Sequence, residues 1–160
     1  MAKKKKKKKN HKPKVIFDKK NIYIDIYIMV RITYKGETRN IPANYLKGLN
    51  KADREKQIKS IFEGKVRPDT KAPEKKSKFV VDFEKKYGKK ITDEDFIHKN
   101  IITRTGQKQI IKKGMGAYFS SGSRPNQTPQ SWSYARLASV IMGGAARKSD
   151  KKIWDKYKIK

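Results

Sequence analysis

Residues 132–142, WSYARLASVIM, leave almost no polar side on which a helix could meet water. Trp132, Tyr134, Ala135, Leu137, Ala138, Val140, Ile141 and Met142 occupy most of its circumference, and a helix apolar nearly all round is a buried one. Ser131 reads as its N-cap and Gly143-Gly144 as its end. Neighbouring segments read as further helices of the same small body. Ser77 caps KFVVDFEKKYG, with Phe79, Val80, Phe83 and Tyr87 on one face and Gly88 as the stop. Thr92 caps DEDFIHKNII, whose first-turn Asp93, Glu94 and Asp95 suit the positive end of the helix dipole. Residues 106–113 form a short helix closed by Gly114 and Gly116, and Ser149 or Asp150 opens a last one carrying Ile153, Trp154 and Tyr157.

The region before residue 64 follows a different period. In IYIDIYIMVRITY, residues 22–34, Ile22, Ile24, Ile26, Ile28, Val30, Ile32 and Tyr34 share one face, which predicts a long strand with that face in the core. Lys35-Gly36 is a turn signal, and Thr38 to Ile41 return as a short antiparallel strand. Asn50 then caps KADREKQIKSIFEG, with Ile58, Ile61 and Phe62 as its apolar stripe. GKVRPDTKAPEKK, residues 64–76, holds two prolines and many charges and reads as a linker. The expected class is α+β: a basic arm (1–20), a β-hairpin plus helix (21–63), the linker, and a compact helical domain (77–160).

Charge dominates what such a chain can bind. The net charge is +28, with a mean hydropathy of −0.96. Residues 1–20 carry 11 Lys and one Asp, so most of the excess lies in the body. Such a body repels itself unless something negative lies beside it: nucleic acid, an acidic protein surface or anionic lipid. Lys3, Lys4, Lys5, Lys6, Lys7, Lys8, Lys9, Lys12 and Lys14 are the candidate partner-binding residues. They read either as a solvated tail or as an arm that orders only along an acidic surface.

Catalytic chemistry is poorly supplied, and neither an enzyme nor a cofactor is expected. Cysteine is absent, which removes thiolate nucleophiles and zinc fingers. His11 and His98 are the two histidines, too few to assemble a metal cage or a Ser-His triad with ease. Asp93, Glu94 and Asp95 point in different directions from a helix, and Gly114-Met115-Gly116 lacks the GK[ST] of a phosphate loop. Ser120, Ser121 and Ser123 have no evident base. No run of about 18 apolar residues predicts a membrane span. Lysines suit phosphate without base specificity, and Tyr23, Tyr27 and Arg31 could add stacking, but no nucleic-acid recognition module is present.

AYFSSGSRPNQTPQSW, residues 117–132, holds one charged residue, Arg124. Its freedom from lysine predicts a packed loop whose hydroxyls and amides satisfy backbone groups. Arg124, and Arg136 in its apolar helix, then need partners: carboxylates or helix C-terminal carbonyls as internal clamps, or alternatively a bound phosphate or acidic peptide.

The run Gly114-x-Gly116-Ala117-Tyr118, an aromatic at 119, Ser120 to Thr128, then Ser131-Trp132, Tyr134 to Ser139 and Gly143-Gly144 resembles an uncharacterised domain family of the nucleocytoplasmic large DNA viruses. A looser version, with Arg-Pro and Trp-x-Tyr-Ala-Arg, occurs in some tailed phages. The resemblance spans residues 77–160 and departs at position 119, which is Phe here and more often Tyr in the family. Gly116, Tyr118, Arg124, Pro125, Trp132 and Arg136 are its structural motif. The family brings no established activity; it implies a viral context and a place in the particle. The function expected is therefore a structural virion protein, a minor capsid component bound to the major capsid protein and other virion proteins through its basic arm. It would pass through the virus factory, nucleus or cytoplasm during assembly. The alternative is a non-specific DNA-binding or genome-condensing core protein.

Overall fold

The computed structural model describes residues 28–160. The lysine arm and residues 22–27 of the expected strand lie outside them. What is described is an α+β fold, a two-stranded sheet followed by seven helices.

Strand β1 (Met29–Tyr34) pairs antiparallel with β2 (Glu37–Pro42), Met29 opposite Pro42 and Tyr34 opposite Glu37. Lys35 and Gly36 both take positive φ, +48° and +83°, the two-residue turn whose twist matches a hairpin. Alternation holds along β1, with Val30, Ile32 and Tyr34 half-buried and Met29, Arg31 and Thr33 exposed. It fails at Ile28, expected in the core but 58% exposed. Ile28 lies one residue before β1, where its carbonyl accepts from the Ala43 amide at 2.6 Å.

A 3-10 turn (Ala43–Tyr45) leads to helix α1 (Lys51–Phe62). Asn50 caps it as expected, its Oδ1 accepting from the Asp53 amide at 2.8 Å. Ile61 and Phe62 meet Ile41 in a small core, with Ile32, Tyr34, Tyr45 and Ile58 around it. Arg39 stacks over Phe62 at 4.7 Å and donates to the Ile61 and Phe62 carbonyls, so the hairpin closes the C-terminus of α1.

Residues 64–76 contain no helix or strand, yet they are not a free tether. Arg67 and Ala72 are buried, at 5% and 7% exposure. The segment is a strap across the molecule, and its backbone amides are met by distant side chains. Arg67 N–H donates to the Tyr118 hydroxyl at 2.7 Å, Thr70 N–H to Asn126 Oδ1 at 2.8 Å, and Lys71 N–H to Asp53 Oδ2 at 3.1 Å.

Helix α2 (Lys78–Tyr87) buries Val80 and Phe83 and ends at Gly88 in the left-handed region. Ser77 takes its N-cap position without a side-chain bond. Helix α3 (Glu94–Asn100) starts one position later than expected, because Asp93 rather than Thr92 caps it by accepting from the Phe96 amide. Helix α4 (Arg104–Ser121) corrects the reading more deeply. It does not stop at Gly114 but continues through both glycines for 18 residues, about 27 Å. Gly114 is there for contact: a Cβ on it would lie 2.7 Å from the Ser133 Cα of the next helix.

That next helix is α5 (Pro129–Ile141), the central one. Its cap is Thr128 rather than Ser131; the two form a capping box, and Pro129 opens the first turn. Leu137, Ala138, Val140 and Ile141 pack among Val80, Phe83, Ile97, Ile101, Ile102 and Ile110, the main core. Phe83 is fully buried, and such a side chain contributes on the order of 1.5–3 kcal/mol. An unforeseen short helix α6 (Ala145–Ser149) precedes α7 (Lys151–Tyr157). The end of the chain is tied back by Ile159 N–H to the Ile101 carbonyl and Thr103 N–H to the Tyr157 carbonyl.

Candidate functional site

The lysine-free stretch, expected as one loop, is the end of α4, a seven-residue loop (122–128) and the first turn of α5. Ser123 is fully buried and Gln127 nearly so. Tyr118, also fully buried, holds loop and strap together: its hydroxyl accepts from Arg67 N–H and donates to the Gln127 carbonyl at 2.9 Å. Asn126, at φ +59°, uses both ends of its amide on the strap, accepting from Thr70 and donating to the Ala72 carbonyl at 2.6 Å. Pro125 is buried, whereas Gly116 is exposed with nothing within 4 Å of where its Cβ would be.

The two singled-out arginines have separate fates. Arg136 is an internal clamp. Its Nε and Nη2 lie 2.8 and 3.0 Å from the two oxygens of Asp150, whose side chain is fully buried, and Lys113 Nζ adds a third contact at 2.6 Å. Burial pushes the Asp150 carboxyl up, but the bonds from Arg136 and Lys113 outweigh it and hold it below its ordinary value. Arg124 has no hydrogen bond or ion pair among the described residues. It is half-buried, with its guanidinium carbon 5.9 Å from the centre of the Trp132 ring. Trp132, also half-buried, meets Tyr45 edge to face at 5.7 Å. Arg124 and Arg136 therefore do not share a pocket.

Two arginines absent from the sequence reading matter as much. Arg147 donates to the Val140 and Ile141 carbonyls, both at 2.7 Å, and stacks on Trp154 at 4.1 Å. It closes the C-terminus of α5 as Arg39 closes that of α1, and its place just after Gly143-Gly144 was the available signal. Arg67 lies over the Tyr118 ring at 4.7 Å and gives Nη2 to the Lys65 carbonyl, while Nε and Nη1 are buried without a partner. Burial makes its charged form harder to hold, and the groups acting against this are Tyr118 and Tyr45, not a carboxylate. A run of charged residues in the strap concealed this burial.

The candidate catalytic groups are occupied otherwise. Asp93 is a cap, Glu94 accepts from the Tyr134 hydroxyl at 2.9 Å, and Asp95 pairs with Arg104. His98 Nδ1 accepts from the Arg104 amide. Ser120 and Ser121 contact each other, and Ser123 donates to the Arg124 carbonyl. Among the described residues no group of three or more His, Asp or Glu could hold a metal ion, and no helix is long and apolar enough to cross a membrane.

Charge is unevenly spread. Residues 28–160 carry 32 Lys and Arg against 13 Asp and Glu, a net +19, and between Asp95 and Asp150 there is no acid at all. Ion pairs among the described residues engage only eight of those 32 cations. Helices α4 and α7 pack together, and each exposes lysines: Lys108 and Lys112 on one, Lys151, Lys152 and Lys156 on the other. The nine candidate partner-binding lysines of the arm lie outside the described residues.

No curated protein and no solved structure matches the chain. Residues 42–156 match a family of unknown function, DUF5824. That match runs from the end of β2 through almost all of α7 and includes the strap, the capped loop and the Arg136–Asp150 clamp. The chain belongs to this family.

Proposed function

We propose that the protein is a structural, non-enzymatic component of the particle of a large DNA virus, a minor capsid protein. Its helical body is a compact anchor and its basic surface lies against acidic capsid proteins. The observation that carries this reading is the one-sided charge. Residues 96–149 contain no acid, and most cations of the folded body have no internal partner. A rigid body carrying +19 is suited to a fixed anionic surface, because self-repulsion is relieved when the two meet. Lys3 to Lys9, Lys12 and Lys14 add nine further cations for the same acidic partner. The viral context comes from the motif resemblance around Tyr118, Arg124, Pro125, Trp132 and Arg136.

A second reading, a genome-condensing core protein, is favoured by one observation: Lys108 and Lys112 of α4 and Lys152 of α7 are exposed compact charges without an ion pair among the described residues, suited to phosphate irrespective of sequence. Lysine-directed crosslinking with mass spectrometry on purified particles separates the two. Crosslinks chiefly to the major capsid protein support the shell component. Lysine peptides photocrosslinked to DNA move it to the genome core, and absence from particles overturns both.

A further inference from the structure

We infer that Arg124, Trp132 and Tyr45 form a binding site for single-stranded nucleic acid, with a base stacked on the aromatic pair and its phosphate held by the Arg124 guanidinium. This goes beyond the particle reading and does not depend on it.

Four arginines lie over aromatic rings: Arg39, Arg67, Arg124 and Arg147. Three of them also donate to backbone carbonyls. Arg124 alone of these has no oxygen partner among the described residues, although it leaves the middle of a loop fixed on both sides. Ser123 and Pro125 beside it are buried, and Asn126 is bonded to the strap. An unpaired guanidinium held in place has already met most of the ordering cost of binding. Its stacked position over Trp132 leaves its N–H edge for an anion.

The aromatic pair supplies the second half of the recognition. Trp132 is half-buried, and Tyr45 stands at 82° to it, so the two offer a face and an edge. Tyr45 also borders a cleft of about 380 Å³ shared with Arg39, Ser120 and Ser121, within the size range of pockets for small flat ligands. Arg67, 5% exposed and with two unpartnered nitrogens, lies near enough to Tyr45 to interact with it electrostatically, which adds a buried positive charge beside that ring. The site offers a guanidinium and two rings, the chemistry of base stacking and cation–π contact. A duplex keeps its bases inside its own stack and cannot present them to such a platform, which is why the single strand is the ligand.

The test uses the full chain labelled with 15N at tryptophan, whose two indole N–H signals are those of Trp132 and Trp154. A Trp132→Phe variant assigns them. An oligothymidine of about eight nucleotides is titrated at about 0.2 M salt, where purely electrostatic binding is weakened. The Trp132 signal is expected to move with saturation while that of Trp154 stays. Arg124→Gln should weaken the Trp132 response roughly tenfold with Arg124→Lys intermediate, and Trp132→Leu should weaken oligonucleotide binding by about 5- to 150-fold. Arg124 lies on a loop outside the core, so its variants test the site without unfolding it. Binding that leaves the Trp132 signal still would overturn the site and leave the polyanion reading intact. An equally charged duplex or poly-glutamate moving Trp132 as far as the single strand would overturn the stacking. No binding of any oligonucleotide would overturn it as well.

Discussion

Gly114 and Gly116 stand two positions apart inside α4, and alanine at the two should move stability in opposite directions. Both replacements gain the same intrinsic helix term, about 0.8–1 kcal/mol. At 116 the new methyl meets nothing within 4 Å, so the gain is kept. For a folded body of this size, about 3–5 °C per kcal/mol puts the rise in Tm at roughly 3–4 °C. At 114 the methyl would lie 2.7 Å from the Ser133 Cα and 3.1 Å from its Cβ and Oγ. The nearest atom is main chain, so no rotamer relieves the clash, and α4 and α5 must separate by about 1 Å to reach an ordinary carbon contact. Overpacking of this kind costs about 1–3 kcal/mol, and the upper part applies because Leu137 and Ile110 sit at the same interface. Net of the helix term, Gly114→Ala should lose about 1–2 kcal/mol, or roughly 3–10 °C. Thermal melts of both variants by circular dichroism at 222 nm measure it. A Gly114→Ala protein as stable as the wild type would mean that α4 and α5 do not cross here. A destabilised Gly116→Ala would mean that α4 does break at its glycines.

Three further variants test the polar contacts. Asp150→Asn keeps the shape but leaves Arg136 and Lys113 without a counter-charge; since both cations retain some water, the loss should be about 2–4 kcal/mol by urea denaturation. Because the folded carboxyl is depressed, its contribution is complete above the ordinary value near 3.8 and fades as pH falls below it, so unfolding curves from pH 6 to 2.5 should slope less in Asp150→Asn than in the wild type. Tyr118→Phe strands the Arg67 amide and the Gln127 carbonyl, and should cost roughly 2–4 kcal/mol in the same assay; a loss under about 0.5 kcal/mol would contradict the buried hydroxyl. Asn126→Gly removes the strap contacts while tolerating the positive φ, so limited trypsin digestion should speed cleavage after Lys71 and Lys75 and leave α4 and α5 intact. Unchanged cleavage would show that the strap is held by other means.

Features that depend on a few adjacent residues were legible in the sequence. The hairpin turn is written in Lys35-Gly36, the start of α1 in Asn50, and the end of α2 in Gly88. What could not be read depends on partners far along the chain. Gly114 has the same local signature whether it ends a helix or admits a neighbouring backbone, and only Ser133 decides between them. Thr128 and Ser131 are both competent caps, and in the structure they serve one another. The need for a partner at Arg136 was evident, but Asp150 could not be picked out from chemistry alone. Nor could it be foreseen that Arg124 would stack on Trp132 while Arg147 took the helix terminus. The strap misleads most, since its charges and prolines describe a solvated tether while Arg67 and Ala72 are buried.

The strap also sets a timetable for synthesis. Thr70 is held by a side chain 56 positions further on, and Arg67 by a hydroxyl 51 positions further on. At ordinary elongation rates the ribosome needs about 3–11 s to travel from Thr70 to Asn126. Throughout that interval the hairpin and α1 have already been made, yet the Arg67 and Thr70 amides have only water to bond. The N-terminal half therefore waits for the last third of the chain, and a ribosome paused before Asn126 would present a nascent strap that proteases can cut. Closure of the strap is thus timed by the synthesis of one asparagine.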